Sequence, residues 1–312
     1  MRVHPAGSVA SCVLALALWC ALGAPSAYAA DKVLTVAYAG SMGRVMNHLI
    51  GPAFAKQYGI EFRGVAQGSF ALAHLLTSRQ MRADVFVGVT PGPMRVVLDA
   101  GLAREAIPIA STEMVIAYSP RSRYAADFHS AAQGKADWYR VLERPGIRFG
   151  RTDPVTDPQG RNIVFTVMLA AHYYDRPGLM EKILGAYQNP AQIFAEPVLL
   201  ARLEAGQLDA TSSYRANAQS HRVPYVRLPD EINLSKASFA ESWYTKAEFS
   251  VVAPNGSQQA FRPEPLVFYA AALADSSNPG LARKFVEYLA GDAGRRMLRE
   301  NGYDPPTGAR LS

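Results

Sequence analysis

Two short junctions, Gly40-Ser41 and Gly68-Ser69, each follow a strand-like run and open a helix-like one. A serine in that position has two uses. It is a favoured helix N-cap, which needs no ligand. Where neighbouring strands of an open α/β sheet end side by side, its hydroxyl also joins free backbone N–H groups and the positive end of the helix dipole, so that an anion is held without lysine or arginine. Glycine before the serine lets the backbone approach closely. Neither junction carries the lysine-bearing glycine loop of a nucleotide site or the three-glycine dinucleotide fingerprint. The chemistry on offer is capture of a small anion by neutral donors, with Gly40, Ser41, Gly68 and Ser69 as candidate binding residues.

The second half supplies two further segments. Asp153-Pro154-Val155-Thr156-Asp157-Pro158-Gln159-Gly160-Arg161-Asn162 follows a short strand at Ile147 to Gly150 and reads as a turn-rich loop opening a helix from Ile163. Asp157 and Gly160 are its candidates. Thr211-Ser212-Ser213-Tyr214-Arg215 ends a short strand beginning at Asp209, and the hydroxyls of Ser213 and Tyr214 are expected to face the same cleft. No catalytic set emerges: His48, His74, His172 and His221 lack metal-ligand spacing, and no Gly-x-Ser-x-Gly elbow occurs. The expectation is a binding protein with no cofactor, no protein-bound metal and no enzymatic activity.

These loops must be carried by alternating strands and helices. Val33 to Ala37, Ile60 to Val65 and Ala83 to Val89 read as strands; between them, Met42, Val45, Met46 and Leu49 follow the spacing of an amphipathic helix, and Leu72, Leu75 and Leu76 mark another. Further strands are expected at Glu113 to Tyr118, Ile147 to Gly150, Asp209 to Thr211 and Tyr225 to Leu228, with a return through Phe249 to Val252 and final helices from Pro279 to about Asn301. The alternation argues for α/β layers with mostly parallel sheets. A polar stretch through Arg121, Arg123 and Gln133-Gly134-Lys135 suggests the crossover between two lobes. The division expected is 30–116 plus 251–312 for lobe I and 117–250 for lobe II.

Residues 1–29 read as a secretory signal: Arg2, an apolar run from Val13 to Leu22, and Ala27-Tyr28-Ala29 as the cleavage site. Cys12 and Cys20, the two cysteines in the sequence, both lie there, so a disulfide framework in the exported protein is excluded. Trp19 before Cys20 argues against a lipid anchor. The net formal charge of +6 is dispersed rather than clustered. It favours anions over cations and gives no footprint for nucleic acid. The expected product is a periplasmic monomer.

Along its whole length beyond residue 29 the chain resembles the extracellular solute-binding proteins of ABC transporters, and within them the molybdate/tungstate-binding branch. The likeness rests on Ala39-Gly40-Ser41, Gln67-Gly68-Ser69, Ala83-Asp84-Val85, Trp138-Tyr139, Phe149 to Pro154, Asp157 to Gly160, Leu208-Asp209, Ser213-Tyr214-Arg215, Leu228 to Leu234, Asp275 to Pro279 and Phe285 to Leu289. It implies a type II periplasmic binding protein whose two lobes close about a crossing-strand hinge on a small oxyanion, delivering it to a membrane permease. It further implies that Ser41 and Ser69 donate to the oxyanion and that Asp157 approaches its metal centre.

One departure bears on the ligand. Where six-coordinate members place a second carboxylate before the Tyr-Arg pair, this chain has Ser213, which puts six-fold coordination in question. An unpaired carboxylate repels a proton-free oxyanion, so Asp157 is expected to pair with Arg161 or turn away. Hydrogen phosphate, carrying a proton, offers Asp157 a different role. Molybdate or tungstate ranks first, then sulfate or phosphate, then a small organic acid. An exported enzyme and a ligand-loaded sensor are the rival classes.

Overall fold

The computed structural model describes residues 33–252, 256 and 258–312; the expected signal segment and its cysteines lie outside them. Among the described residues, eleven strands fall in chain order: β1 (Val33–Ala39), β2 (Glu61–Gln67), β3 (Val85–Val89), β4 (Ile107–Ser111), β5 (Met114–Tyr118), β6 (Phe149–Gly150), β7 (Ala210–Tyr214), β8 (Tyr225–Arg227), β9 (Phe249–Val252), β10 (Gln258–Phe261) and β11 (Val267–Ala272). They form a five-stranded sheet of order β2-β1-β3-β11-β4, a four-stranded sheet of order β6-β7-β5-β8, and the two-stranded β10-β9.

The inner strands β1, β3 and β11 of the first sheet are largely buried on both faces, as their apolar residues require, while the edge strand β2 is largely exposed. Leu34, Val36 and Tyr38 of β1 point into one core with Val85 and Val87, while Ala37 and Phe86 point into another against Leu72 and Met94. In the second sheet Ile116 and Tyr118 face Ile163 and Val167 of the helix Pro158–Tyr173. Val115 and Ala117 face Leu199, Leu200 and Leu203 of the helix Glu196–Glu204. This is the two-lobed α/β architecture of periplasmic binding proteins.

The pairings are mixed. β1 lies parallel to β2 and β3, but β11 runs antiparallel between β3 and β4. The chain re-enters the first sheet through β11, whereas Phe249 to Val252 pairs with β10 as a hairpin. The crossing between sheets is earlier than the polar stretch at 121–135: β4 ends at Ser111 and β5 begins at Met114. Both strands are buried at that passage, so no change of composition marks it. The connection is pinned by Thr112 N–H to Leu266 O at 3.0 Å and Met114 N–H to Asn233 O at 2.9 Å.

Buried Asp84 ties the sheet to the C-terminal segment. Its carboxylate accepts from Thr35 N–H at 2.7 Å, Ser276 Oγ at 2.7 Å and Ser277 Oγ at 3.0 Å. At the passage between sheets, buried Glu113 forms an ion pair with Arg215 at 3.0 Å and accepts from Arg227 Nε at 2.8 Å.

Candidate functional site

Strands β1 and β2 are adjacent and parallel, with Ala39 paired to Gln67. Their carboxyl ends therefore deliver Gly40-Ser41 and Gly68-Ser69 to one edge. Neither serine is an N-cap. A 3-10 turn begins at Gly40 itself, the helix Ser69–Thr77 is preceded by Gly68, and no side chain caps either element. The hydroxyls are thus not used in capping. Buried Ser41 Oγ has no hydrogen-bond partner among the described residues. Ser69 Oγ accepts from Val89 N–H at 3.3 Å, which leaves its proton available to donate.

The loop before the helix Pro158–Tyr173 comes to the same edge. Ala71 N–H donates to Thr156 O at 3.1 Å across the two halves. A β-carbon on Gly68 would stand 2.9 Å from Thr156 O and 3.1 Å from Asp157 Oδ2, so only glycine fits there. Asp157 caps its helix, accepting from Gln159 N–H at 2.8 Å. The expected pairing with Arg161 is not made. Arg161 Nε donates to Pro154 O at 2.6 Å and its Nη2 to Val155 O at 2.8 Å, while the guanidinium lies between the rings of Phe70 and Phe261 at 3.6 and 3.8 Å. Arginine here clamps the loop that presents Asp157 rather than neutralising it.

Glu196 is the residue that sequence reasoning passed over. It opens the helix Glu196–Glu204, is buried, and places its carboxylate against the first junction. A β-carbon on Gly40 would meet Glu196 Oε2 at 2.5 Å. The Ser41 hydroxyl and the Gly40 and Ser41 N–H groups face this carboxylate, though Oε1 closes no hydrogen bond. The signal in the sequence was an acidic residue before a proline at a helix start, Ala195-Glu196-Pro197.

Two buried carboxyls therefore converge on the serine edge. Burial pushes the Asp157 carboxyl up to about 7, against the opposing effects of the Gln159 N–H, Arg161 and Thr152. Burial, and then the neighbouring Asp157 charge, hold the Glu196 carboxyl well above the usual carboxylate range. Buried Thr152 Oγ1, facing Asp157, also lacks a hydrogen-bond partner among the described residues. Tyr214 is fully buried, receives Asn162 Nδ2 on its hydroxyl at 3.0 Å, and feels the charge of both carboxyls. A cavity of about 420 Å³ opens beside the group, lined by Gln67, Gly68, Thr152, Asp157 and Glu196.

Two of the expected residues, Ser213 and Gly160, are held in contacts within the protein. Ser213 is paired with Val115, so it lies on the sheet face covered by the helix Glu196–Glu204, and its hydroxyl donates to Tyr214 O at 3.1 Å. Strand alternation sends Ser213 and Tyr214 to opposite faces, so the two side chains do not point together. A β-carbon on Gly160 would stand 2.4 Å from Thr152 O and 2.7 Å from the Asp153 carbonyl carbon, so glycine at this position lets the loop pack closely. Among the described residues, no group of three or more His, Cys, Asp or Glu side chains is placed to hold a metal ion. No described helix is long and apolar enough to cross a membrane.

Residues 34–304 match the family described as bacterial extracellular solute-binding protein. An uncharacterized solute-binding protein of Petrotoga mobilis is 30% identical over 283 residues, 89% of this chain and 86% of the relative. The molybdate/tungstate-binding protein WtpA of Thermococcus kodakarensis is 28% identical over 264 residues, 78% of this chain and 73% of the relative. Among solved structures, the periplasmic molybdate-binding protein of Azotobacter vinelandii superposes with a TM-score of 0.59 at 16% identity, covering 88% of this chain and all of that one, a likeness of fold.

Proposed function

We propose that this chain, which belongs to the bacterial extracellular solute-binding protein family, captures a tetrahedral oxyanion, molybdate or tungstate, and presents it to the membrane permease of an ABC importer. The observation that carries the reading is the meeting of Ser41 and Gly40 from one half with Asp157 and Glu196 from the other. Export through the signal segment and residence in the periplasm belong to the same proposal. Its support is the family and a relative named for molybdate and tungstate binding.

The chemistry follows from the donor set. Ser41, Ser69 and the Gly40 N–H supply neutral donors to the anion's oxygens, and closure of the lobes removes water that weakens them. Two carboxyls beside a proton-free dianion oppose binding unless each is protonated or is a ligand in its own right. Molybdenum and tungsten accept added oxygen ligands, so Asp157 and Glu196 together restore the pair of carboxylates that Ser213 was expected to lack. Sulfur in sulfate offers no such coordination, and sulfate is correspondingly disfavoured. Hydrogen phosphate is the second reading, because its own proton satisfies one carboxylate.

The test is calorimetry of the purified protein with molybdate, tungstate, sulfate, phosphate and small carboxylates, followed by X-ray absorption at the bound metal. Expected are tight binding of molybdate or tungstate and a coordination number of about six, four oxo oxygens plus two carboxylate oxygens. Binding of phosphate alone would transfer the proposal to the second reading.

A further inference from the structure

A second cleft of about 550 Å³, lined in part by Gly302, shares no lining residue with the serine edge and is not used by the oxyanion chemistry. Its walls come from both halves of the molecule. Arg44, His48 and Leu49 lie on the helical segment that starts at Gly40; Arg299 and Gly302 lie at the end of the helix Asp292–Glu300; Gln219, Ser220 and Arg222 follow β7. Arg44, Arg222 and Arg299 are exposed. Among the described residues, none of the three has a carboxylate within 4.0 Å. The cleft's one carboxylate, Glu300, is likewise without an ion pair among them.

The positive charge is also felt nearby: burial holds the His221 imidazole below its usual range, and Arg44 and His48 add to that effect against the opposing Glu204. Two backbone features fix the walls. Arg222 has φ 56, a left-handed conformation uncommon for a residue with a β-carbon, and Gly302 has φ 87 with its α-carbon against Gln219. Bringing Arg222 up to Arg44 and Arg299 sets like charges across the boundary between the lobes, at a cost that a multivalent anionic partner removes.

We propose that this cleft docks an acidic segment of the membrane partner, and that it recognises the closed molecule because its arginines come from both lobes. The inference rests on the receptor reading for the identity of the partner. Charge complementarity selects the occupant: three exposed, separated guanidiniums on flexible stems suit several carboxylates spaced along a chain better than one compact ion. A segment bound to the closed form must, by linkage, bind more tightly when the oxyanion is bound.

The probe is a hexaglutamate peptide titrated into the full protein at low ionic strength, with and without saturating tungstate. The expected result is binding that tungstate strengthens and that the variant Arg44→Glu/Arg222→Glu/Arg299→Glu weakens by about tenfold or more. Single Arg→Gln variants, which perturb folding less, should each weaken it by a smaller factor while tungstate affinity without peptide stays within about twofold. Equal peptide binding by wild type and variants overturns the proposal. So does pyrophosphate binding as tightly as the peptide with the same losses, which would make the cleft a small-anion site. If wild type bound no tungstate but kept arginine-dependent peptide binding, the oxyanion reading would fall while acidic docking stood.

Discussion

The carboxylate of Glu196 lies so close to the backbone of Gly40 that a β-carbon there would stand 2.5 Å from its Oε2 atom and 3.0 Å from its Cδ. The two residues are 156 positions apart and belong to different halves of the fold. Their contact makes the smallest side chain a condition for the acid's position. Gly40→Ala is therefore expected to displace Glu196 and lower oxyanion affinity about tenfold or more. Because the obstacle is the end of a side chain rather than backbone, the melting temperature should fall little. Calorimetry and thermal denaturation on the same variant check both halves of this expectation.

The two serines should respond differently to removal of their hydroxyls. Ser41 Oγ makes no hydrogen bond among the described residues, so Ser41→Ala leaves stability almost unchanged and weakens oxyanion binding by about 1 to 3 kcal/mol. Ser69 Oγ accepts from the buried Val89 N–H, so Ser69→Ala also destabilises the fold by about 1 to 3 kcal/mol. An equal loss of stability in both variants would contradict this assignment.

Glu196 and Ser213 offer a direct contrast. Glu196→Gln should abolish the carboxylate's contribution and alter the coordination number of bound tungsten, whereas Ser213→Ala should leave affinity within about twofold, since its hydroxyl donates to Tyr214 O on the other sheet face. Binding constants for the two variants, measured side by side, test the reassignment of the second carboxyl.

Stability should depend on pH through the same pair. The Asp157 carboxyl rises from its ordinary 3.8 to about 7 in the folded protein. The folded state therefore holds a proton that the unfolded chain releases, and stability falls as pH climbs from about 4 to about 7, then levels. Glu196, shifted in the same direction, extends the decline. Melting temperatures between pH 4 and 8 should show this slope, and Asp157→Asn should flatten it.

Arg161 is expected to act through the loop it clamps. Arg161→Lys keeps the charge but loses the flat surface between Phe70 and Phe261 and one of the donors to Pro154 O and Val155 O. Both stability and oxyanion affinity should drop, and Arg161→Met should lower them further, because buried carbonyls are left unpaired. Hydrogen exchange at residues 153–157 would report the loosening.

Much of the fold was legible because it is written locally. Val33 to Ala37 and Ala83 to Val89 are apolar runs, largely buried, and of the helix positions expected to face the core Met42, Val45, Met46, Leu72 and Leu76 do so while Leu49 is exposed. The Gly-Ser junctions and the Asp157 loop were legible for the same reason, since each is a turn signal next to a strand end. β11 was missed: its residues Val267–Ala272 read equally as strand or buried helix until the antiparallel gap between β3 and β4 is seen.

By itself the sequence determined that two Gly-Ser junctions end consecutive strands, and that an acidic loop opens a helix in the second half. Which hydroxyls are free, and which carboxyls meet, depended on register and on the approach of the two lobes. Ser213 and Tyr214 look equivalent as letters, yet strand alternation sends them to opposite faces. Glu196 looks like an ordinary helix-start acid until the fold buries it against Gly40 and beside Asp157, where desolvation and mutual repulsion change what it is able to do.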